Sequence, residues 1–181
     1  MQRTVRAAIG ALIIMGAAPS VQAQTLTGTT VGGATFNRRT EAAGNTCGGA
    51  SGLGTAVRYR TFSFFTPTAG AFTFALTAPG WDPFLFLYDG AFNPASPATN
   101  CIAADDDISG SNLNAQFTRT LVAGGTYIAV ATGYANTDAG AFTLTVTGPT
   151  TLTVIPEPPE VALLATGMVG IGLFARRRRL V

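Results

Sequence analysis

Two stretches of this chain alternate large apolar side chains with threonine or alanine, and a period of two restricts both to extended backbone. In residues 71–77, Phe72, Phe74 and Leu76 fall on one side and Thr73 and Thr77 on the other. In residues 141–147, Phe142, Leu144 and Val146 oppose Thr143, Thr145 and Thr147. Such a pattern is a half-buried antiparallel strand, with one face on a core and one in water. Each stretch opens on Ala-Gly-Ala-Phe (69–72 and 139–142), and a looser Ala-Gly-Gly-Thr-Tyr (123–127) precedes the apolar run 128–131. Glycine supplies the turn and the aromatic starts the buried face. Residues 84–88 are apolar on both faces, which predicts a central strand. Residues 57–65 change phase: Val57 and Tyr59 share one parity, Phe62 and Phe64 the other. A β-bulge near Arg60 is the expected remedy. Further strands are expected at 25–36, 113–121 and 150–155, and the body has no sustained helical period. About eight strands over residues 24–153 predict one antiparallel all-β sandwich or jelly roll.

What the chain lacks excludes much chemistry. Its 11 basic residues are all arginine, and it has no histidine. Ser–His and Cys–His nucleophile pairs, His-ligated zinc, a Walker lysine and Schiff-base chemistry are therefore out of reach. The net charge of +2 comes from the two ends. Residues 24–155 hold five arginines (38, 39, 58, 60, 119) against seven acids (Glu41, Asp82, Asp89, Asp105, Asp106, Asp107, Asp138), a balance of −2. A slightly acidic body has no basic stripe for phosphates, so nucleic acid is not a partner.

The ends read as addresses. Arg3 and Arg6 precede an apolar run of 12 residues (7–18), then Pro19-Ser20, then Val21-Gln22-Ala23 with small residues at the places that a cut between Ala23 and Gln24 requires. This is the pattern of a secretory signal peptide (1–23), and the run is shorter than the ~20 residues a membrane span needs. It implies passage through the secretion translocon. At the other end, Pro156-Glu157-Pro158 precedes 15 apolar residues (161–175) and the cluster Arg176, Arg177, Arg178 and Arg179. As a helix the apolar run measures ~22 Å, short of a ~30 Å hydrocarbon core. The arginines would stay cytoplasmic and leave the body on the far side of the membrane.

Residues 154–181, with this three-part order, resemble the PEP-CTERM sorting tail of Gram-negative bacteria. The resemblance implies membrane contact through the C-terminal helix before processing, and then recognition by an exosortase that cuts near Pro156-Glu157-Pro158. The product would reach the cell surface or the extracellular matrix. The chain departs from the family in carrying Pro159 where Ser, Ala or Thr is common. A second resemblance rests on WDPFLFLYDG (81–90), Ala104-Asp105-Asp106-Asp107, AGGTYIAVATGY (123–134) and GAFTLTVTGP (140–149). Over residues 55–149 this order is similar to bacterial pre-peptidase C-terminal-type β-sandwiches. That implies a non-catalytic module, some members of which bind calcium or matrix polymers.

Three sites follow from the residues themselves. Cys47 and Cys101, two cysteines in an exported chain and both in turn-like contexts, predict one disulfide. The run from Asp105 to Gly110 places oxygen donors at 105, 107 and 109 and then glycine, as a calcium loop begins. Gln116 stands where an EF-hand needs Glu. A Ca²⁺ site in a sandwich loop would join Asp105 and Asp107 to Asp82 or Asp89, and the competing reading is a solvated turn. Asp82, Asp89 and Asp138 are also the carboxylates a glycosidase would need, although turn chemistry accounts for each. Trp81 reads as a core anchor or a sugar platform. Residues 49–53 lack the last glycine of a nucleophile elbow.

The function these features favour is that of a non-enzymatic, exosortase-sorted surface or matrix protein associated with exopolysaccharide. The alternatives are a β-sandwich that binds Ca²⁺, carbohydrate or ice, and a secreted hydrolase.

Overall fold

The computed structural model describes residues 20–156. The expected signal segment before residue 20, Glu157, Pro158, the apolar tail and Arg176 to Arg179 lie outside the described residues. Among the described residues the strands are β1 (Gln22–Thr29), β2 (Thr35–Phe36), β3 (Arg39–Ala42), β4 (Thr46–Ala50), β5 (Val57–Phe65) and β6 (Gly70–Thr77), then β7 (Pro83–Asp89), β8 (Cys101–Asp105), β9 (Ala115–Leu121), β10 (Thr126–Gly133), β11 (Ala141–Gly148) and β12 (Thr153–Ile155). No helix occurs among the described residues. The expected cut between Ala23 and Gln24 falls inside β1, so processing there would leave the strand to begin at Gln24.

One sheet has the order β1-β11-β6-β9 and the other β12-β5-β10-β7-β8, with β2 also on β5. Every pairing is antiparallel. When the short strands β2, β3, β4 and β12 are set aside and the rest renumbered along the chain, the orders become 1-8-3-6 and 2-7-4-5. That is the strand order of a jelly roll, two Greek keys closed face to face.

The alternating stretches do what their period requires. Phe72, Phe74 and Leu76 of β6 and Phe142, Leu144 and Val146 of β11 are buried between the sheets, with Phe64, Leu85, Leu87, Phe117 and Leu121 among the groups they meet. Each such side chain contributes roughly 1.5–3 kcal/mol on burial. The packing is close enough that a Cβ on Gly148 would run into the Phe72 ring.

A second core lies on the opposite face of the larger sheet. Phe84, Phe86 and Tyr88 of β7 point there, with Phe36, Val57 and Val130, and Tyr59 and Phe92 pack against them. This explains why β7 is apolar on both faces. It also corrects the expected bulge near Arg60. β5 keeps one unbroken register with β10 from Phe65 to Tyr59. Its odd-numbered Val57 and Tyr59 enter the second core while Phe62 and Phe64 enter or flank the first. The strand serves two cores in turn and needs no extra residue.

Residues 30–56 build the lid of the second core. The expected strand 25–36 divides at a turn, with Gly32 at φ 78°, into β1 and β2. The β3–β4 hairpin is then tied down by the Cys47–Cys101 disulfide, with Cα atoms 6.1 Å apart. Both cysteines sit in strands, β4 and β8, and not in the turns expected of them. The hairpin turn is pinned as well: Arg119 donates from Nη2 to the carbonyls of Gly44 (2.8 Å) and Asn45, and from Nε to Ile102 (3.2 Å).

Candidate metal centre

Sheet register assembles the site. β7 and β8 pair antiparallel with Leu85 opposite Asp105, so the start of β7 and the end of β8 lie side by side. Asp82 stands just before β7, and Asp106 and Asp107 just after β8. One carboxylate oxygen from each of these three lies within 4.8 Å of the others, and all three residues are half-buried. Two ligands on opposite sides of one Ca²⁺ are about 4.8 Å apart, twice a typical Ca–O distance of about 2.4 Å. The spacing therefore suits a shared ion. Oδ1 of Asp82, Asp106 and Asp107 is in each case buried with no hydrogen-bond partner, an arrangement that costs free energy unless a cation or proton occupies it.

Burial, and then Asp107, Asp82 and Glu41, push Asp106 up to about 7, and Arg38 opposes them. Asp82 rises to about 6, from burial first and then Asp107 and Asp138, again against Arg38. Arg38 is the counter-charge and is 2% exposed. Its guanidinium lies 4.2 Å from the Phe84 ring centroid and 4.8 Å from that of Tyr134. Nε donates to the Tyr134 carbonyl and Nη1 to the Arg39 carbonyl, both at 2.9 Å. Burial lowers its pKa. A cavity of about 330 Å³ opens beside it, walled by Arg38, Glu41, Asp106 and Tyr134 among others.

The expected ligand set changes in two members. Asp105 is 2% exposed and points away into the fold, where its carboxylate accepts from Asn45 Nδ2 and the Gln116 amide. It is a structural brace. Asp89 is exposed at the far end of β7 and belongs to no acidic cluster among the described residues. Asp107 and Asp82 remain, and Asp106 takes the place expected of Asp105. Asp138 accepts from the Ala135 amide at 2.7 Å, the turn role expected of it. Trp81 is a core anchor: it packs against the main core and donates to the Ala141 carbonyl at 3.0 Å. Nothing local marks Arg38 as the counter-charge beyond its being one of five arginines in the body.

The outer face of the smaller sheet carries a second organised surface. Thr143, Thr145 and Thr147 do not form a lone row. Thr27, Thr143 and Thr77 stand side by side across three strands, as do Thr147, Thr73 and Thr118. The Thr73 and Thr118 hydroxyls are 2.7 Å apart.

No protein-family model matches the chain, and no curated protein does. Among solved structures it is similar to a periplasmic inhibitor of g-type lysozyme from Aeromonas hydrophila, at 11% identity over 74% of this chain and 92% of that one, with a TM-score of 0.42. It is also similar to the K1 cleaved adhesin domain of Lys-gingipain from Porphyromonas gingivalis, at 16% identity over 76% and 99% of the two chains, with a TM-score of 0.34. The K3 adhesin domain of the same protein is 18% identical over 68% and 90%, with a TM-score of 0.32.

Proposed function

We propose that this chain is an exported, non-enzymatic protein of the cell surface or extracellular matrix, with a jelly-roll body held by a disulfide and a bound Ca²⁺. The observation that carries the binding role is the set of three carboxylates with one oxygen from each within 4.8 Å of the others, and with Oδ1 of each buried and unpartnered. Strand ends fix all three, so the site is preformed and little ordering cost attends binding. Ca²⁺ suits all-oxygen ligands of this charge, and water and nearby carbonyls would complete its shell. The absence of histidine and lysine, and the bonding of both cysteines, remove the usual activators of a serine or cysteine nucleophile, which supports the non-enzymatic reading.

Export is supported by the disulfide, which persists in oxidising compartments, and by the basic-apolar-small order of residues 1–23. Delivery to the surface rests on the resemblance of the tail to exosortase substrates. Intact mass of the surface protein tests it: the mature chain should end near residue 156–159. Val181 still attached would leave a plain tail anchor. Cell fractions prepared with and without residues 157–181 should differ in where the body accumulates.

A second reading concerns exopolysaccharide. The threonine rows on the outer sheet face carry hydroxyls and methyls and no charge, a surface suited to an uncharged sugar polymer. Thr73→Glu with Thr145→Glu should abolish sedimentation with the polymer and leave folding intact, and unchanged sedimentation would dismiss this face.

A further inference from the structure

Residues 51–54, just after β4, are laced to Arg38. The Arg38 amide donates to the Gly54 carbonyl and the Ser51 amide to the Arg38 carbonyl, both at 2.9 Å. A Cβ on Gly54 would run into the Arg38 side chain, so this close approach requires glycine. The loop so held lines the cavity of about 330 Å³ beside Arg38, together with Glu41 of β3, Asp106 after β8 and Tyr134 after β10. Leu53, 58% exposed, stands at its mouth.

Two nearly buried side chains of this lining each keep a donor with no acceptor among the described residues. Ser51 is 6% exposed, and its Oγ accepts from the Leu53 amide at 3.2 Å and the Gly54 amide at 2.9 Å. A hydroxyl has two acceptor sites and one proton, so both sites are filled and the proton is left over. Arg38, 2% exposed, spends Nε and Nη1 on the Tyr134 and Arg39 carbonyls and leaves Nη2. A buried donor without an acceptor is destabilising unless water or a ligand accepts from it. The same lining offers acceptors: Asp106 has a buried Oδ1 with no partner, and Glu41 adds a second carboxylate.

Donors and acceptors on one small surface select groups that do both, and a hydroxyl does. Charge chooses among hydroxyl compounds. The lining sets two carboxylates against one guanidinium, and Asp82 and Asp107 lie beside Asp106, so an anionic ligand is repelled. Size chooses further: ligand cavities span roughly 300–1,000 Å³, and one at the lower end holds about one or two sugar rings. Tyr134 and Leu53 supply apolar surface for the C–H face of such a ring. We propose that this cavity binds a neutral pyranose residue through vicinal hydroxyls, which accept from Arg38 Nη2 and Ser51 Oγ and donate to Glu41 and Asp106. It takes a chain end or a side branch, whereas the threonine rows face the length of a polymer, so the two surfaces are separate. Asp106 is shared with the cation site, and a carboxylate with two oxygens can serve an ion and a hydroxyl together. Arg38, Ser51 and Glu41 lie outside the three-carboxylate set, so the sugar site does not rest on the metal.

Amide NMR of the full chain, with its disulfide intact and in a detergent that has no sugar headgroup, tests the site. Methyl glycosides of glucose, galactose and mannose are titrated in turn. At least one should shift the amides of residues 51–54 saturably, in the millimolar range suited to so small a ligand. The methyl glycoside of glucuronic acid should bind at least tenfold more weakly than the best of them. Leu53→Trp, at an exposed position, should block the mouth, and Glu41→Ala should remove an acceptor; each should cut affinity at least tenfold and keep the native spectrum elsewhere. No saturable shift with any of the three sugars would leave water as the occupant and overturn the proposal. Equal affinity for the glucuronide, or native affinity in both variants, would overturn it too. Thr73→Glu with Thr145→Glu should bind as the native chain does, and a loss there would move the sugar to the sheet face. Titration in chelator and then in Ca²⁺ separates the two sites: sugar shifts with no Ca²⁺-induced shift at Asp82, Asp106 and Asp107 would end the cation reading and leave this one standing.

Discussion

Replacing Asp106 by asparagine separates a cation site from a solvated turn, because the change keeps the shape and removes one negative charge. The carboxylate oxygens of Asp82, Asp106 and Asp107 lie within 4.8 Å of one another. At that distance and an effective dielectric constant of 20, two full charges repel by about 3.5 kcal/mol. Asp106 sits up at about 7, so at pH 8 the metal-free protein carries that repulsion almost in full. Asp106→Asn relieves part of it, about 1–2 kcal/mol after solvent screening, and should raise the metal-free melting temperature by ~5 °C. In millimolar Ca²⁺ the order reverses. The native chain gains RT ln(1 + [L]/Kd), about 2.7 kcal/mol at one hundred times Kd, or ~10 °C. The variant, with one ligand and one charge fewer, gains little. Scanning calorimetry at pH 8 in chelator and in Ca²⁺ reads both effects. Identical melting of the native chain in the two buffers would refute the site, and Asp105→Asn, which removes a brace and no ligand, should leave the Ca²⁺ increment in place.

The same cluster sets a pH dependence. Folding raises Asp82 to about 6 and Asp106 to about 7, so between pH ~4 and 7 the folded state holds protons that the unfolded chain has released, and stability falls as pH rises through that window. Metal-free melting temperature should drop from pH 5 to pH 8; a rise would contradict the assignment. Cys47→Ser with Cys101→Ser opens a loop of sequence separation 54, which the chain-entropy relation values at ~4 kcal/mol. Urea unfolding should show that loss, and two thiols alkylated in the unreduced native protein would exclude the bond. Arg38→Met strands the Tyr134 and Arg39 carbonyls and removes the cation facing Asp106 and Asp82, at a cost of ~3 kcal/mol. Arg38→Lys should recover little of it, since an ammonium lacks the planar fork that stacks on Phe84, and full recovery in urea unfolding would show that charge alone matters.

Much of the architecture was legible because strand periodicity is local. Phe72 to Leu76 and Phe142 to Val146 declared their buried faces in the sequence, and β7 declared both of its own. The cysteine pair was legible for another local reason, there being two cysteines and one way to join them. β3, β4 and β8 were not legible: Thr-Cys-Gly-Gly-Ala and Cys-Ile-Ala-Ala-Asp are short and weakly patterned, and they become strands through the disulfide and the pairings that hold them.

The misplaced ligand shows where sequence stops. Asp105 and Asp107 were the expected pair because oxygen donors at 105, 107 and 109 followed by Gly110 match the start of a calcium loop. β8 ends at Asp105, the chain turns, and Asp106 and Asp107 converge on Asp82 while Asp105 faces inward to Asn45 and Gln116. A turn of one residue reverses parity, and nothing local in three consecutive aspartates says where it falls. Likewise the phase change in β5 reads as a bulge until a second core exists to receive Val57 and Tyr59. The sequence by itself determined the extended backbone and buried faces of β6, β7 and β11 and the pairing of the two cysteines. Tertiary structure alone decided which faces meet, because strand partners and their register join residues tens of positions apart and are fixed by what the fold buries between them.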